Sequence, residues 1–105
     1  ARCGGLHGAA WCATDGRLLL AREDVGRHNA LDKLVGARAR QGLAGTGFVA
    51  LSSRASHELV HKAAMAGMGL LACVSAPSSL AIQSAERLGL QLWAFVREGR
   101  ATRYA

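Results

Sequence analysis

One proline, five aromatic residues and no apolar run near the ~18 residues of a membrane-spanning helix set the first limits on this 105-residue chain. The missing apolar run excludes a membrane helix. The few aromatics do not alternate with the arginines, so no stacking platform of the kind that binds single-stranded nucleic acid is present. Three cysteines, an odd number without paired spacing, argue against a disulfide framework, and no basic segment followed by an apolar one opens the chain as a signal peptide would. A reducing cytoplasm fits these absences. Internal repeats, linkers and low-complexity tracts are missing too. What is present suits one folded domain spanning residues 1–105: half of the residues are hydrophobic, enough for a real core. The start at Ala1, directly inside a glycine-rich stretch, reads as part of a longer protein whose preceding residues are out of view.

The formal charge of +6 and a pI near 10.3 call for an anionic partner. With no stacking platform, a phosphate-bearing small molecule fits better than nucleic acid. The densest charge lies in Arg22-Glu23-Asp24-Val25-Gly26-Arg27-His28-Asn29-Ala30-Leu31-Asp32-Lys33, where seven ionisable side chains surround one glycine. Arg22, Arg27 and Lys33 donate hydrogen bonds without accepting any, and Gly26 stands where a helical pattern begins. That combination suits an anion held over a helix N-terminus, although a solvated loop with a charged first turn reads the same twelve residues as well.

Short apolar runs at His7–Ala13 and Arg17–Ala21 flank Asp15-Gly16, which predicts a β-hairpin with a type I′ turn. Ala30, Leu31, Leu34, Val35 and Arg38 recur at helical spacing from about Arg27 to Gln41, with Gly42 as the stop. Phe48–Ser52 reads as a buried strand. Ser56 is placed to cap a helix from His57 to about Ala66 that ends at Gly67. Leu70–Val74 is another strand, Pro77-Ser78 opens a helix to Leu88 stopped by Gly89, Gln91–Val96 is a strand, and Glu98-Gly99 turns the chain into Ala101–Tyr104. This alternation predicts βαβ units and a sheet that is largely parallel after the hairpin. Polar motifs then collect at strand C-terminal ends, where open α/β sheets bind ligands.

His57-Glu58-Leu59-Val60-His61 spells H-E-x-x-H, a spacing that on a helix can aim two imidazoles at zinc with the glutamate as base. A zinc metallohydrolase is therefore the alternative to be weighed, with Glu86 the conceivable third ligand. Against it, two of the five positions are free and no partner behind the ligands is evident. Cys12 and Cys73 sit in apolar strand patterns as small buried hydrophobes, whereas Cys3 lies beside Arg2 and a glycine pair.

Read together, Gly4-Gly5-Leu6-His7-Gly8-Ala9-Ala10, the Arg22-Glu23-Asp24-Val25-Gly26-Arg27-His28 string, Ser52-Ser53-Arg54-Ala55-Ser56 with Glu58-Leu59-Val60 and Lys62, Ser75-Ala76-Pro77-Ser78-Ser79, and Phe95-Val96-Arg97-Glu98-Gly99-Arg100 with Tyr104 resemble the C-terminal domain of the FdhD family of formate dehydrogenase accessory sulfurtransferases. The resemblance spans essentially the whole chain. It implies a cytidine-deaminase-like, three-layer α/β/α fold with a mixed sheet and an opening hairpin. The zinc ligands of deaminases are absent, since His7 is followed by Gly8-Ala9 and Pro77 by Ser78-Ser79. The family's sulfur-carrying C-x-x-C pair is absent as well, and Cys3, where the family usually has threonine, does not replace it by position. No residue present is assigned to sulfur-transfer catalysis.

What the resemblance leaves for this domain is cofactor binding. It implies receipt of sulfur from a cysteine desulfurase and its transfer to the molybdenum bis(molybdopterin guanine dinucleotide) cofactor of formate dehydrogenase, with GDP as a mimic. Arg22, Arg27, Arg54, Arg97, Arg100 and the Ser75–Ser79 helix start, with Gly26, His28, Ser78 and Ser79, are the candidates for phosphate. Asp24, Asp32 or Glu98 can accept from guanine. By resemblance, Phe95, Val96, Arg97, Glu98, Gly99 and Arg100 form the family's cofactor-binding segment. Homodimerisation is left open.

Overall fold

The three helices among the described residues all pack on the same side of one sheet. The structure, a computed structural model, describes residues 7–43, 46–95 and 101–105. Its elements are β1 (His7–Cys12), β2 (Leu18–Asp24), α1 (Arg27–Arg40), β3 (Phe48–Leu51), α2 (His57–Met65), β4 (Leu70–Cys73), α3 (Ser79–Leu88), β5 (Gln91–Phe95) and β6 (Ala101–Arg103). The sheet order is β2-β1-β3-β4-β5-β6. β3, β4 and β5 run parallel, while β1 lies antiparallel to both β2 and β3, and β6 antiparallel to β5. The mixed α/β class and the opening hairpin match the expectation.

Side-chain alternation assigns the faces. Ala9, Trp11, Val49, Leu51, Leu71, Cys73, Leu92 and Ala94 share one face and form a single core with Leu31 and Leu34 of α1, Leu59 and Val60 of α2, and Ala81 and Ala85 of α3. β2, β3 and β4 point the same way, and each following helix returns the chain to a strand further along the sheet. Right-handed crossovers that progress in one direction leave their helices on one side. The described residues therefore build two layers, where a helix layer on each face was expected. Gly8, Ala10, Phe48, Ala50, Leu70, Trp93 and Phe95 are on the opposite face, which no described helix covers.

Local chemistry explains the boundaries. Ser56 Oγ accepts from Leu59 N–H at 3.3 Å and Ser78 Oγ from Ala81 N–H at 3.1 Å, so both serines cap as the sequence predicts. Each helix closes on a positive-φ glycine, Gly42, Gly67 or Gly89, and Leu43, Met68 and Leu90 N–H groups reach back to Arg38, Ala63 and Ala85 carbonyls at 2.9–3.0 Å.

Two details depart from the expected pattern. The hairpin uses a three-residue loop: Gly16 N–H donates to the Ala13 carbonyl and Ala13 N–H to the Arg17 carbonyl, with Gly16 alone needing the left-handed region. This is a type I turn closed by a glycine bulge, in place of the predicted type I′. Second, Arg22-Glu23-Asp24 extends β2 and is not loop, because pairing with Ala9, Gly8 and His7 outweighs its polar composition.

Candidate functional site

Because β2, β3 and β4 are codirectional and each leads into a helix on the same face, the N-termini of α1, α2 and α3 all emerge at one end of the sheet. Two cavities of about 330 Å³ each are found in the structure. One is apolar and lies on the uncovered sheet face; the other lies among the helix N-termini and is lined by Arg27, Arg54, Ala55, Ser56 and Ser78. The first is lined mostly by small and apolar residues beside Arg22 and Glu23, whereas the second sets two arginines beside two serine hydroxyls, so the second is the candidate site.

Its parts are held by the backbone. Arg54 Nε donates to the Ala76 carbonyl at 3.1 Å, tying the loop after β3 to the loop after β4 and leaving the rest of the guanidinium fork for a ligand. Arg27 opens α1, which has no acidic residue in its first turn and whose cap, Gly26, supplies no side-chain acceptor. A cation at the positive end of a helix dipole is unfavourable unless an anion joins it. α3 likewise has no acidic first-turn residue. Ser56 and Ser78 spend one lone pair each on their helices and retain their hydroxyl protons as donors. Arginine forks, free hydroxyls and helix N-termini converging on one cavity can bind a phosphate or pyrophosphate.

Of the residues predicted from sequence, Arg27, Arg54 and Ser78 meet here; Ala55 and Ser56, read from sequence within the Ser52-to-Ser56 string and, for Ser56, as a helix cap, but not named as cofactor contacts, complete the lining. The signal for Ser56 was its place at a strand's C-terminal end. Gly26 caps α1 and His28, half-buried, follows Arg27. The Ser75 carbonyl accepts from the Cys73 thiol at 3.1 Å, and Ser79 begins α3 exposed. Arg22 donates through Nη1 to the Ala21 carbonyl, and it and Phe95 both line the first, mainly apolar groove and not the candidate site. Val96, Arg97, Glu98, Gly99 and Arg100, and Cys3, lie outside the described residues.

Of the carboxylates considered for guanine, the two among the described residues, Asp24 and Asp32, are engaged elsewhere. Asp24 pairs with Lys33 at 2.8 Å and accepts from Gly26 N–H at 3.0 Å; the Lys33 hydrogen bond first, then that of Gly26, holds its carboxyl well below the usual range, at about 2. Asp32 joins Lys62 of α2 at 3.0 Å. His57, Glu58 and His61 point outward while Leu59, Val60 and Ala63 take the core side of α2. Among the described residues no three His, Cys, Asp or Glu side chains come together as a metal site. The H-E-x-x-H is thus the solvated stripe of an amphipathic helix. Cys12 and Cys73 are buried, and burial pushes both thiols up.

Comparison with known proteins matches the chain to the FdhD/NarQ family over residues 1–105. It is similar to a sulfur carrier protein FdhD of Bordetella petrii, with 55% identity over 103 residues that cover 97% of this chain and 37% of the relative. A sulfur carrier protein FdhD of Variovorax paradoxus is 60% identical over 95 residues, 90% of this chain and 34% of the relative. A crystal structure from Desulfotalea psychrophila, of a protein described as a formate dehydrogenase accessory protein, superposes with a TM-score of 0.85 at 33% identity, covering 94% of this chain and 44% of that one. The chain spans about a third of the length of the curated relatives it matches.

Proposed function

The chain belongs to the FdhD/NarQ family, and from that premise we propose that it forms the cofactor-binding part of a formate dehydrogenase accessory sulfur carrier. In this reading it holds the guanine dinucleotide end of the molybdenum bis(molybdopterin guanine dinucleotide) cofactor while sulfur arrives from a cysteine desulfurase, in the cytoplasm. The cytidine-deaminase-like relationship and the role of Phe95 to Arg100 as a second cofactor contact belong to the same reading.

The observation that carries it is Arg27 and Arg54 beside the Ser56 and Ser78 hydroxyls, at helix N-termini lacking acidic first-turn residues in α1 and α3. The pyrophosphate of a guanine dinucleotide neutralises this excess of positive charge, and its depth at strand C-terminal ends is where α/β sheets hold nucleotides. Sulfur chemistry itself needs a thiolate, and Cys12 and Cys73 are buried with raised pKa values; the domain's share is to bind and orient the cofactor.

Calorimetric titration with GDP tests the reading. GDP is expected to bind more tightly than ATP, and Arg27→Ala and Arg54→Ala each to weaken it by about 1.5 to 3 kcal/mol, the range for a charge-assisted hydrogen bond. Arg97→Ala and Arg100→Ala are expected to act within the same range. Unchanged GDP affinity in folded Arg27 and Arg54 variants would remove the pocket from the proposal; equal binding of GDP and ATP would remove the guanine preference.

A further inference from the structure

α1 enters the phosphate site differently from its two neighbours. Ser56 and Ser78 close the first turns of α2 and α3 with their own side chains, whereas α1 starts at Gly26, which has no side chain to offer. No apolar anchor holds that start either. Val25, the residue before the cap, is 73% exposed, so the hydrophobic staple that often fixes a helix entry is missing. The joint between β2 and α1 is held by polar ties that meet at Asp24. Its Oδ1 accepts from Gly26 N–H at 3.0 Å, and its Oδ2 pairs with Lys33 Nζ, two turns into α1, at 2.8 Å. Lys33 Nζ also donates to the Glu23 carbonyl at 3.2 Å, and the Asn29 side chain adds a further hydrogen bond to the carboxylate. The end of β2, the cap and the first two turns of α1 are thereby fastened at one carboxylate. By charge alone, a carboxylate next to the first arginine of an anion site works against the ligand.

We propose that Asp24 is a positioning residue of the phosphate site: it fixes the joint between β2 and α1, and so the direction in which Arg27 leaves α1 toward the cavity it shares with Arg54, Ser56 and Ser78. The inference rests on the phosphate site proposed above and adds the residue that aims one of its two arginines. Arg27 is exposed and is the first residue of α1, so its backbone takes its orientation from the joint. A guanidinium whose starting point is fixed loses less freedom when the ligand arrives. Lys33 offsets the charge of Asp24, so the pair keeps the geometry and removes most of the repulsion. Arg54 is set separately, through the Ala76 carbonyl, and serves as the internal control.

Calorimetric titration of the chain with inorganic pyrophosphate tests this, because charge and geometry predict opposite signs. Asp24→Ala removes a negative charge, which on charge alone tightens the anion, whereas loss of positioning weakens it. The expected result is weakening by about three- to tenfold. Asp24→Asn keeps an acceptor for Gly26 N–H although it too loses the ion pair with Lys33, and is expected to bind within about twofold of the unaltered chain. In an Arg27→Ala background, Asp24→Ala is expected to change the affinity no further. In an Arg54→Ala background it is expected to cost its full factor, a pattern that a general loosening of the fold does not produce. A tighter or unchanged Asp24→Ala variant, an Asp24→Asn variant as weak as it, or an equal loss in both backgrounds overturns the proposal. If Asp24→Ala does not fold, hydrogen exchange of the Gly26 amide in the unaltered chain decides. Slow exchange that pyrophosphate slows further supports the tie; exchange as free as that of an open loop, with or without pyrophosphate, overturns it. Pyrophosphate that fails to bind, or binds equally to Arg27→Ala, removes the phosphate site itself, whereas a loss with Arg27→Ala but none with Asp24→Ala removes only the role of Asp24.

Discussion

Gly47 shows what a single residue decides in this fold and how little its sequence context reveals. A Cβ there would stand 2.5 Å from the Cys12 carbonyl oxygen and 2.9 Å from the Trp11 ring, so backbone and indole would both have to move. Gly47→Ala is expected to cost about 2 to 4 kcal/mol, read as a lowered denaturant midpoint at constant m-value. Trp11 is also covered by Arg38, whose guanidinium lies 4.2 Å from the ring centroid and donates through Nη1 to the Ala66 carbonyl at 3.0 Å. The helical spacing placed Arg38 on the core stripe, but its charge pointed to an anion; only the position of Trp11 shows that it is a structural cation. Asp24 carries the pH dependence at this scale. With its folded value lowered to about 2 by Lys33 and Gly26, its contribution to stability is present above the ordinary carboxylate range and is lost as pH falls from about 4 toward 2. Lys33→Ala is expected to move the Asp24 carboxyl carbon titration upward toward that range by NMR and to flatten this acid limb. A titration midpoint unmoved in the variant would contradict the pairing.

At the scale of elements, the sequence carried nearly all of the order. Caps at Ser56 and Ser78, glycine stops after each helix and alternating strands fall where local chemistry alone puts them. Long-range pairing was not legible: β2 runs through Arg22-Glu23-Asp24 because β1 offers partners there. The distribution of helices over the two faces depends on strand order, which periodicity does not encode, and so a helix layer was expected on a face that no described helix covers. The convergence of helix N-termini followed from codirectional strands, whereas the link from Arg54 to the Ala76 carbonyl joins loops 22 residues apart and leaves no sequence trace. Ser78 separates the structural and binding roles of a cap. Ser78→Ala is expected to cost about 1 kcal/mol of stability, and Ser78→Gly only a few tenths. Both lose the hydroxyl donor and are expected to weaken GDP equally. If affinity instead tracked stability, with Ser78→Gly binding like the unaltered chain, the hydroxyl would be a cap and nothing more.

For the molecule as a whole, the excess of +6 charges has two readings that equilibrium measurements can separate. A diffuse positive field attracts any polyanion, and its binding falls steeply with salt in proportion to the phosphates engaged. A built pocket engages one or two phosphates, so the salt slope is shallow and a small ligand competes. Ligand binding to the folded state alone also raises stability: at a concentration about a hundred times the dissociation constant, GDP adds about 2.7 kcal/mol, which in a domain of this size moves Tm up by roughly 10 to 20 °C. The expected outcome is a large rise with GDP, a smaller one with inorganic pyrophosphate, and almost none for either with Arg27→Ala/Arg54→Ala, whose own Tm stays near that of the unaltered chain. Differential scanning fluorimetry at two salt concentrations reads all of these together. A rise that vanished at moderate salt, or that the double variant retained, would assign the charge to a diffuse field and take the anion away from the helix N-termini.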